Sequence, residues 1–235
     1  MNYSNYRIAY TENEVICLAK NNRKRQNDSL DEYIVVKDIE PWLQRNIPSR
    51  FCDSAFLRIV LFYVIKSPCK KGSFSRIDLE EQYQWKNPWY SERFKKLLND
   101  IPQFTEKSFV STEAQKNFKV TWEETGFEDV FWEIPATEFA VFTNAGESNK
   151  HLDLLHHIRN SFAHGRFTAK KIPRKDDYMI LMEDVSETCD CCKVTARIAI
   201  KKSTLLKWID IFECKDEKAQ NLQQELSKAG RKTNT

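Results

Sequence analysis

The chain has 235 residues, of which 41% are hydrophobic, 12% aromatic and 30% charged, so it is long and apolar enough to bury a substantial core. Its 5 glycines and 7 prolines exclude collagen-like and proline-rich disordered proteins, and a net charge of +3 is lower than nucleic-acid-binding domains usually carry. The longest apolar run, residues 59–65, is far shorter than the roughly 20 residues of a membrane span. We expect no secretory signal, and the sequence predicts a cytoplasmic protein with no membrane partner.

Short apolar segments in the first half of the chain predict separate helices and strands. The patterns indicate a strand at 33–36 and helices at 52–66, 77–85 and 91–99. Apolar residues then alternate with polar ones over 118–122 and 130–134, and this period of two predicts a β-hairpin. Residues 1–134 are therefore expected to form an N-terminal region of mixed helix and hairpin, in which no motif indicates a role.

Two further helices are predicted after this region. Pro135 is tolerated in the first turn of a helix and predicts one over residues 136–142. The strongest helical pattern covers 147–165, where Ser148 is a candidate N-cap and Gly165 a candidate C′ residue.

The remaining segments complete the predicted fold. Strand patterns at 178–184 and 194–200 predict a second hairpin. A last helix is expected over 203–226, with Ser203 as its N-cap. The fold class is therefore α+β, mainly α. We expect a C-terminal helical domain at 135–228 that contains the second hairpin, followed by a flexible tail at 229–235.

The cysteines leave two interpretations open. Seven cysteines in a chain without a secretory signal do not predict a disulfide framework. Cys189, Cys191 and Cys192 are close enough in sequence to supply thiolates to a zinc ion, but a structural zinc site uses four ligands, usually in two spaced pairs. No second pair follows, so a plain turn with reduced thiols is the other interpretation. We expect no metal and no cofactor.

All 4 histidines lie between positions 151 and 164, within the predicted helix. At about 100° per residue, His156, Asn160 and His164 share one face of that helix, and Arg159 flanks them. Histidine changes its charge near neutral pH, so a concentration of this residue type on one helix indicates a site for proton transfer or metal binding.

Three kinds of site use these residue types. Zinc could bind His156 with Asn160 or His164, but the only acidic residue nearby is Asp153 and there is no His-Glu-x-x-His pattern. Ser–His catalysis would use Ser161, but no Gly-x-Ser-x-Gly elbow surrounds it. Metal-free phosphoryl transfer on RNA needs a general base, a general acid and a fixed cation. His164 and Arg159 are suited to those tasks, with Asn160 as a hydrogen-bonding partner.

The segment 155–165, Leu-His-His-Ile-Arg-Asn-Ser-Phe-Ala-His-Gly, resembles the HEPN superfamily of nucleases. The signature of that family is an arginine, a polar residue that is often asparagine, a few mostly nonpolar residues and then a histidine. Arg159, Asn160 and His164 match this signature. The resemblance implies a helical-bundle ribonuclease that needs no metal and leaves a 2′,3′-cyclic phosphate. It also implies that Arg159 and His164 are catalytic, with Asn160 in support.

The resemblance further implies a homodimer in which two motif helices meet. Helix geometry agrees, because residues five apart on one helix are about 140° out of line. One chain therefore does not bring Arg159 and His164 together, whereas two copies can. We expect His156 to contact the substrate, with one of the two adjacent histidines at 156 and 157 facing solvent. Lys170, Lys171 and Arg174 follow the motif closely and are expected to contribute to an RNA-binding groove, the simpler interpretation being a solvated loop.

The sequence therefore predicts a cytoplasmic prokaryotic endoribonuclease of the toxin or antiphage-defence type, with RNA as substrate and an antitoxin or defence protein as a further partner. The alternative is a non-catalytic HEPN-fold module that binds RNA or protein. In that case Arg159 would pair with Asp153 or with the carbonyls of the last helical turn. His164 would only cap the helix, since a cation is favoured at a helix C-terminus.

Overall fold

The computed structural model describes residues 33–36, 47–69, 77–113, 117–131, 133–147, 149–188 and 191–214. The strands in these ranges are β1 (Val35–Val36), β2 (Phe109–Thr112), β3 (Phe139–Thr143), β4 (Phe167–Lys171), β5 (Tyr178–Thr188) and β6 (Cys191–Lys201). The helices are α1 (Ser54–Val60), which continues as a π-helical segment (Leu61–Lys66), α2 (Leu79–Tyr83), α3 (Glu92–Asp100), α4 (Phe118–Thr125), α5 (Lys150–Ala163) and α6 (Lys202–Phe212). Two short 3-10 turns cover Ser49–Phe51 and Pro88–Tyr90.

Side-chain oxygens determine where four of the helices begin. Asp53, Asp78, Ser91 and Asn149 precede α1, α2, α3 and α5, and each accepts a hydrogen bond from a backbone N–H of the following turn. At α5 the Asn149 side chain accepts from the backbone N–H of His151 at 2.8 Å. These bonds satisfy amides that the helix itself leaves without a partner, so the starts of the helices are fixed locally.

The strands form one six-stranded sheet with the order β2-β3-β6-β5-β4, and β1 pairs with the first part of β6. Strands β2 and β3 run parallel, and the other pairs are antiparallel. The register between β5 and β6 shifts at Asp184 and Val185, because Asp184 lies opposite Ala196 whereas Val185 lies opposite Val194. Thr195 is thus an extra residue in β6, a β-bulge that increases the local twist.

Both faces of the sheet are covered. Ile180 and Met182 of β5 belong to the larger core, which also contains the apolar residues of α1, α3, α5 and α6. Met179 and Leu181 belong to a second core beneath α4. Successive residues of a strand point to opposite faces, so β5 lies between a layer that includes α1, α3, α5 and α6 and a smaller layer that contains α4.

The hairpin predicted over 118–134 is wrong, because residues 118–125 form helix α4. Phe118 and Trp122 are buried, at 1% and 0% exposure, whereas Val120 between them is 56% exposed. The spacing of four between the two buried aromatics is helical, and the exposed valine produced the apparent alternation. Gly126, which lies between the two segments of the predicted hairpin, has φ +70° and ends the helix in the left-handed conformation.

The helix predicted over 136–142 is also wrong, because Phe139–Thr143 is the strand β3. All five of its residues are buried. Phe139 and Val141 pack in the core beneath α4, and Ala140 and Phe142 pack in the larger core. A strand covered on both faces reads as a continuous apolar run without alternation, and such a run resembles a short buried helix.

Several predictions are confirmed. The α+β class is confirmed. A strand lies within the first predicted strand, helices lie at the first three predicted helices and at the long helix, and two paired strands lie at the second predicted hairpin. Gly165 has φ +66° at the predicted C′ position of α5. The candidate N-cap Ser148 lies outside the described residues. Ser203 is the second residue of α6, not its cap, and donates its hydroxyl to Asp177.

The predicted division of the chain at residues 134 and 135 does not coincide with a break in the core. β2, from the first region, pairs with β3, from the second. One cluster of buried residues extends from Phe51 to Phe212. The second hairpin forms β5 and β6 in the interior of the sheet. The tail predicted at 229–235 lies outside the described residues. None of the helices in the described ranges combines the length and the apolar character needed to cross a membrane.

Candidate functional site

Helix α5 carries the candidate site and packs on the sheet and on the π-helical segment. Its apolar residues Leu152, Leu155, Ile158 and Phe162 are all buried, at spacings of three and four. This face directs the helix onto the sheet, as an amphipathic pattern predicts. The polar side chains of His157 and Asn160 consequently lie beside the neighbouring strands, where they contact Asp184 of β5 and Thr143 of β3, and His156 contacts Asn160.

Arg159 and Asn160 are adjacent in the chain and joined through their side chains. Arg159 donates from Nη1 to the amide oxygen of Asn160 at 2.8 Å. The amide nitrogen of Asn160 lies 3.1 Å from Nε2 of His156 and donates to Oδ2 of Asp184, also at 3.1 Å. Every polar atom of the Asn160 amide thus has a partner, and these partners determine its orientation.

His157 is buried and joins two strands of the sheet. Its Nε2 lies 2.8 Å from the carbonyl oxygen of Thr143, and its Nδ1 lies 2.7 Å from Oδ2 of Asp184. A carbonyl oxygen only accepts hydrogen bonds, so Nε2 carries a proton. Its Nδ1 faces the carboxyl group of Asp184, so the two side chains form a buried, hydrogen-bonded pair.

His156 lies beside this pair and is held in its neutral form. Burial is the main reason that its pKa is lowered. Because Nε2 accepts from Asn160, the ring proton lies on Nδ1, which has no hydrogen-bond partner among the described residues. The closest carboxylate oxygen, Oε1 of Glu147, is 3.9 Å from Nδ1, which is too far for a hydrogen bond.

Within the described part of the chain, Arg159 forms a hydrogen bond to an amide and no ion pair. Among the described residues, none of the ion pairs includes Arg159. Asp184 is paired with His157, and the partner of Arg159 is the neutral amide of Asn160. The Nε of Arg159 is buried and has no hydrogen-bond partner within the described ranges. Arg159 is thus a half-buried guanidinium with donors available for an anion.

Regular alternation along β5 determines the direction of the Asp184 side chain. Asp184 lies on the α5 side of β5, as do Ile180 and Met182, and its Oδ1 accepts from the backbone N–H of Val185 at 2.9 Å. The register shift falls between these two residues. The extra residue lies in β6, opposite these two residues, and bulges are frequent beside functional sites.

His164 is not part of the network formed by Arg159 and Asn160. It is the C-cap residue of α5, it is exposed, and its backbone N–H donates to the carbonyl oxygen of Asn160 at 2.9 Å. Within the described ranges its ring makes no hydrogen bond or ion pair. Two of the three predicted catalytic residues are therefore in contact, and the third lies one turn further along the same helix face with its ring in solvent.

The predicted substrate-binding residues are separated in space. His156 contacts Asn160, but Lys171 lies at the far end of β4, about 14 Å along the strand from Phe167. Lys170 and Lys171 are successive strand residues and point to opposite faces. Lys171 pairs with Asp176 and lines an open cavity of about 700 Å³ at the start of α6. Arg174 is exposed in the turn before β5.

The expected exposure of one of the adjacent histidines is wrong. His157 is 3% exposed, and the side chain of His156 is only 16% exposed. His151 has a structural role, because it is buried, its Nε2 bonds to Oδ1 of Asn99 at 3.0 Å, and its ring contacts Phe109. Burial lowers the pKa of His151 to about 4.

A buried group of charged side chains anchors the end of α5. Arg166 and Arg197 both donate to the carboxylate of Glu183, and all three residues are at most 9% exposed. The backbone N–H of Arg166 donates to the carbonyl oxygen of Ser161, and its carbonyl accepts from the backbone N–H of Glu183. The segment after the motif is thus attached to β5, which keeps α5 in register with Asp184.

No metal centre is present among the described residues, which contain no cluster of three or more histidine, cysteine, aspartate or glutamate side chains able to hold an ion. Cys189 lies outside the described residues. Cys191 and Cys192 begin β6, and the backbone of Cys192 pairs with Val36 of β1. The structure therefore tests neither the predicted plain turn nor the alternative of a zinc site at these cysteines.

Comparison of the chain with protein-family models, with curated proteins and with solved structures found no match. The site is therefore described from its own residues.

The sequence did not predict His157, Asp184 or the carbonyl of Thr143 as partners of the motif. One local signal was present for Asp184, since Glu183 and Asp184 interrupt an apolar strand pattern and both become buried.

Proposed function

We propose that the chain is a metal-independent endoribonuclease that cleaves RNA in the cytoplasm at a composite site formed by two copies of α5. The observation that carries the proposal is the half-buried guanidinium of Arg159, which has a neutral amide and no carboxylate as its partner among the described residues. Such a cation is suited to an anionic phosphate whose charge increases in the transition state.

The reaction needs one proton acceptor and one proton donor. A base removes the proton from a 2′-hydroxyl, the 2′-oxygen attacks the neighbouring phosphorus, and the bond to the 5′-oxygen breaks as that oxygen receives a proton. The product is a 2′,3′-cyclic phosphate, and the phosphorane carries extra negative charge on its way there. We assign the proton transfers to His164 and the stabilisation of the phosphorane to Arg159, with Asn160 holding the guanidinium.

A dimer supplies the second histidine and the second arginine that one chain cannot bring to a phosphodiester. His164 is exposed at the end of α5, and its ring does not contact Arg159 within the described chain. One histidine also cannot act on both sides of an in-line displacement. In a two-fold arrangement each subunit contributes a histidine and an arginine to the same phosphodiester. The helical layer of α1, α3, α5 and α6 would correspond to the HEPN-like bundle, with the sheet covering its other side.

The proposed activity also involves a controlling protein and an extended RNA substrate. Toxin or antiphage-defence activity would require control by an antitoxin or a defence protein, and cleavage in its absence would arrest growth. Arg174 and Lys171 would contact RNA only if the substrate extends along β4 beyond the motif, because the motif lies at the opposite end of that strand.

The test is cleavage of single-stranded and transfer RNA in EDTA. We compare the wild type with His164→Ala and Arg159→Ala, and Lys207→Ala serves as a control because it removes an exposed cation from α6. We expect cleavage by the wild type and the control, with loss of about 10²–10⁴-fold in His164→Ala. Equal cleavage by His164→Ala would remove its catalytic assignment. RNA binding without turnover in every variant would instead indicate the non-catalytic module.

A further inference from the structure

Asp184 connects the motif of α5 to the sheet. Its Oδ2 accepts from Asn160 at 3.1 Å and lies 2.7 Å from Nδ1 of His157. His157 in turn contacts the carbonyl of Thr143 in β3. The side chains of His157 and Asp184 are 4% and 5% exposed, so water does not compete for these bonds. A continuous series of hydrogen bonds therefore runs from β3 through His157, Asp184 and Asn160 to Arg159.

We propose that Asp184 is a positioning residue of the RNA-cleaving site, which holds the amide of Asn160 in the orientation that directs its oxygen to Arg159. This inference rests on the proposed function and extends it to a residue outside the motif. Asp184 would act through Asn160 and would not touch the substrate.

The amide of Asn160 has two possible orientations, related by a half turn about its last bond. In the observed orientation Nδ2 faces two acceptors, Oδ2 of Asp184 and Nε2 of His156, and Oδ1 faces the donor Nη1 of Arg159. In the reversed orientation Oδ1 would face the carboxylate, and Nδ2 would face the guanidinium. Both of those contacts are repulsive, so the carboxylate of Asp184 selects the orientation that holds Arg159.

The substitution Asp184→Asn isolates this role. An amide nitrogen in place of Oδ2 would donate to Nδ1 of His157, which keeps its other bond to Thr143 when it is neutral. The same nitrogen would oppose Nδ2 of Asn160, because two donors would then face each other. The variant therefore keeps the contact with His157 and loses the contact with Asn160.

Asp177→Asn is the matched control. Asp177 precedes β5 at the other end of the strand, where its carboxylate accepts from the backbone N–H and the hydroxyl of Ser203 at the start of α6. Both substitutions replace a hydrogen-bonded carboxylate of the same hairpin by an amide. Only one of the two carboxylates is connected to Arg159, so a purely structural role predicts similar effects for both.

The experiment measures RNA cleavage and the side-chain amide signal of Asn160 by NMR. We expect Asp184→Asn to lower kcat by about 10- to 100-fold with KM unchanged, since a displacement of about 1 Å at a catalytic group has effects of this size. We expect the Asn160 amide signal to move, and we expect no further loss when Asp184→Asn is added to Arg159→Ala. Asp177→Asn should change neither kcat nor the amide signal.

The outcomes separate this inference from the proposed function. Cleavage by the wild type together with an unchanged kcat in Asp184→Asn overturns the positioning role and leaves the proposed function intact. A fall in kcat without a change in the Asn160 signal, or one that adds fully to the loss in Arg159→Ala, also overturns it. Absence of cleavage by the wild type ends the proposed function, and the positioning role ends with it.

Discussion

Arg159 donates from Nη1 to the amide oxygen of its neighbour Asn160, at 2.8 Å. Adjacent residues on a helix point about 100° apart, so this contact requires both side chains to bend towards each other. The bond orients the guanidinium without neutralising it, because the acceptor carries no charge. A carboxylate in the same place would have oriented Arg159 equally well and removed the positive charge that a phosphate needs.

Arg159 is expected to contribute through charge and shape together. Arg159→Ala should lower the single-turnover rate of RNA cleavage by about 10²–10³-fold, as removal of one preorganised donor does. Arg159→Lys keeps the charge but not the planar arrangement of donors, so we expect less than about one tenth of the wild-type rate. Rates are measured with saturating protein. A wild-type rate in Arg159→Ala would contradict the role of this cation.

The neutrality of Asn160 can be tested with Asn160→Asp, which has the same shape. The new carboxylate would lie about 3 Å from Oδ2 of Asp184 and beside Arg159, where it would repel the former and neutralise the latter. We expect loss of cleavage and a decrease of about 1–3 kcal/mol in the free energy of unfolding, measured by urea denaturation at pH 7. A fully active and equally stable Asn160→Asp would show that the amide has no special function.

The stability of the fold is expected to fall in acid because of His151. Its pKa is about 4 in the folded state, against a usual value of 6.5, so the unfolded chain binds more protons between these pH values. The contribution of His151 is fully present above pH 6.5 and is lost as the pH falls towards 4. The free energy of unfolding should decrease by about 2–3 kcal/mol between pH 7 and pH 4.5.

The control for this pH dependence is His151→Gln, which can still donate to Asn99 but does not titrate. Urea denaturation of both proteins at a series of pH values should give a smaller decrease for the variant. Burial also lowers the pKa of His156, so some dependence of the same sign should persist. Identical pH profiles for the two proteins would show that His151 does not carry the effect.

Helix α4 gives a test of the fold that is independent of function. Trp122 is fully buried against Phe131 and Phe139, whereas Val120 on the same helix is 56% exposed. Trp122→Ala should cost about 3–5 kcal/mol in the free energy of unfolding, and Val120→Ala should change it by less than about 0.5 kcal/mol. If residues 118–122 formed a strand, both side chains would lie on one face, and the two costs would be similar.

Features with a local cause could be predicted from the sequence alone. Helix α5 has apolar residues at spacings of three and four, and Gly165 follows it in the left-handed conformation that ends many helices. The strands β5 and β6 follow one another closely and form an antiparallel pair, so their pairing needed no distant partner. The stripe of His156, Asn160 and His164 likewise follows from helical geometry, and the contact between the first two is observed.

The tertiary structure alone decided the features that depend on distant residues. Whether 139–143 forms a helix or a strand depends on β2 and β6 on either side and on cores above and below, none of which is encoded within five residues. The partners of the motif are separated from it in the same way, because Asp184 is 24 residues from Asn160. Periodicity shows which face of α5 is polar, but only the packing of that helix on the sheet brings Asp184 and the carbonyl of Thr143 to it.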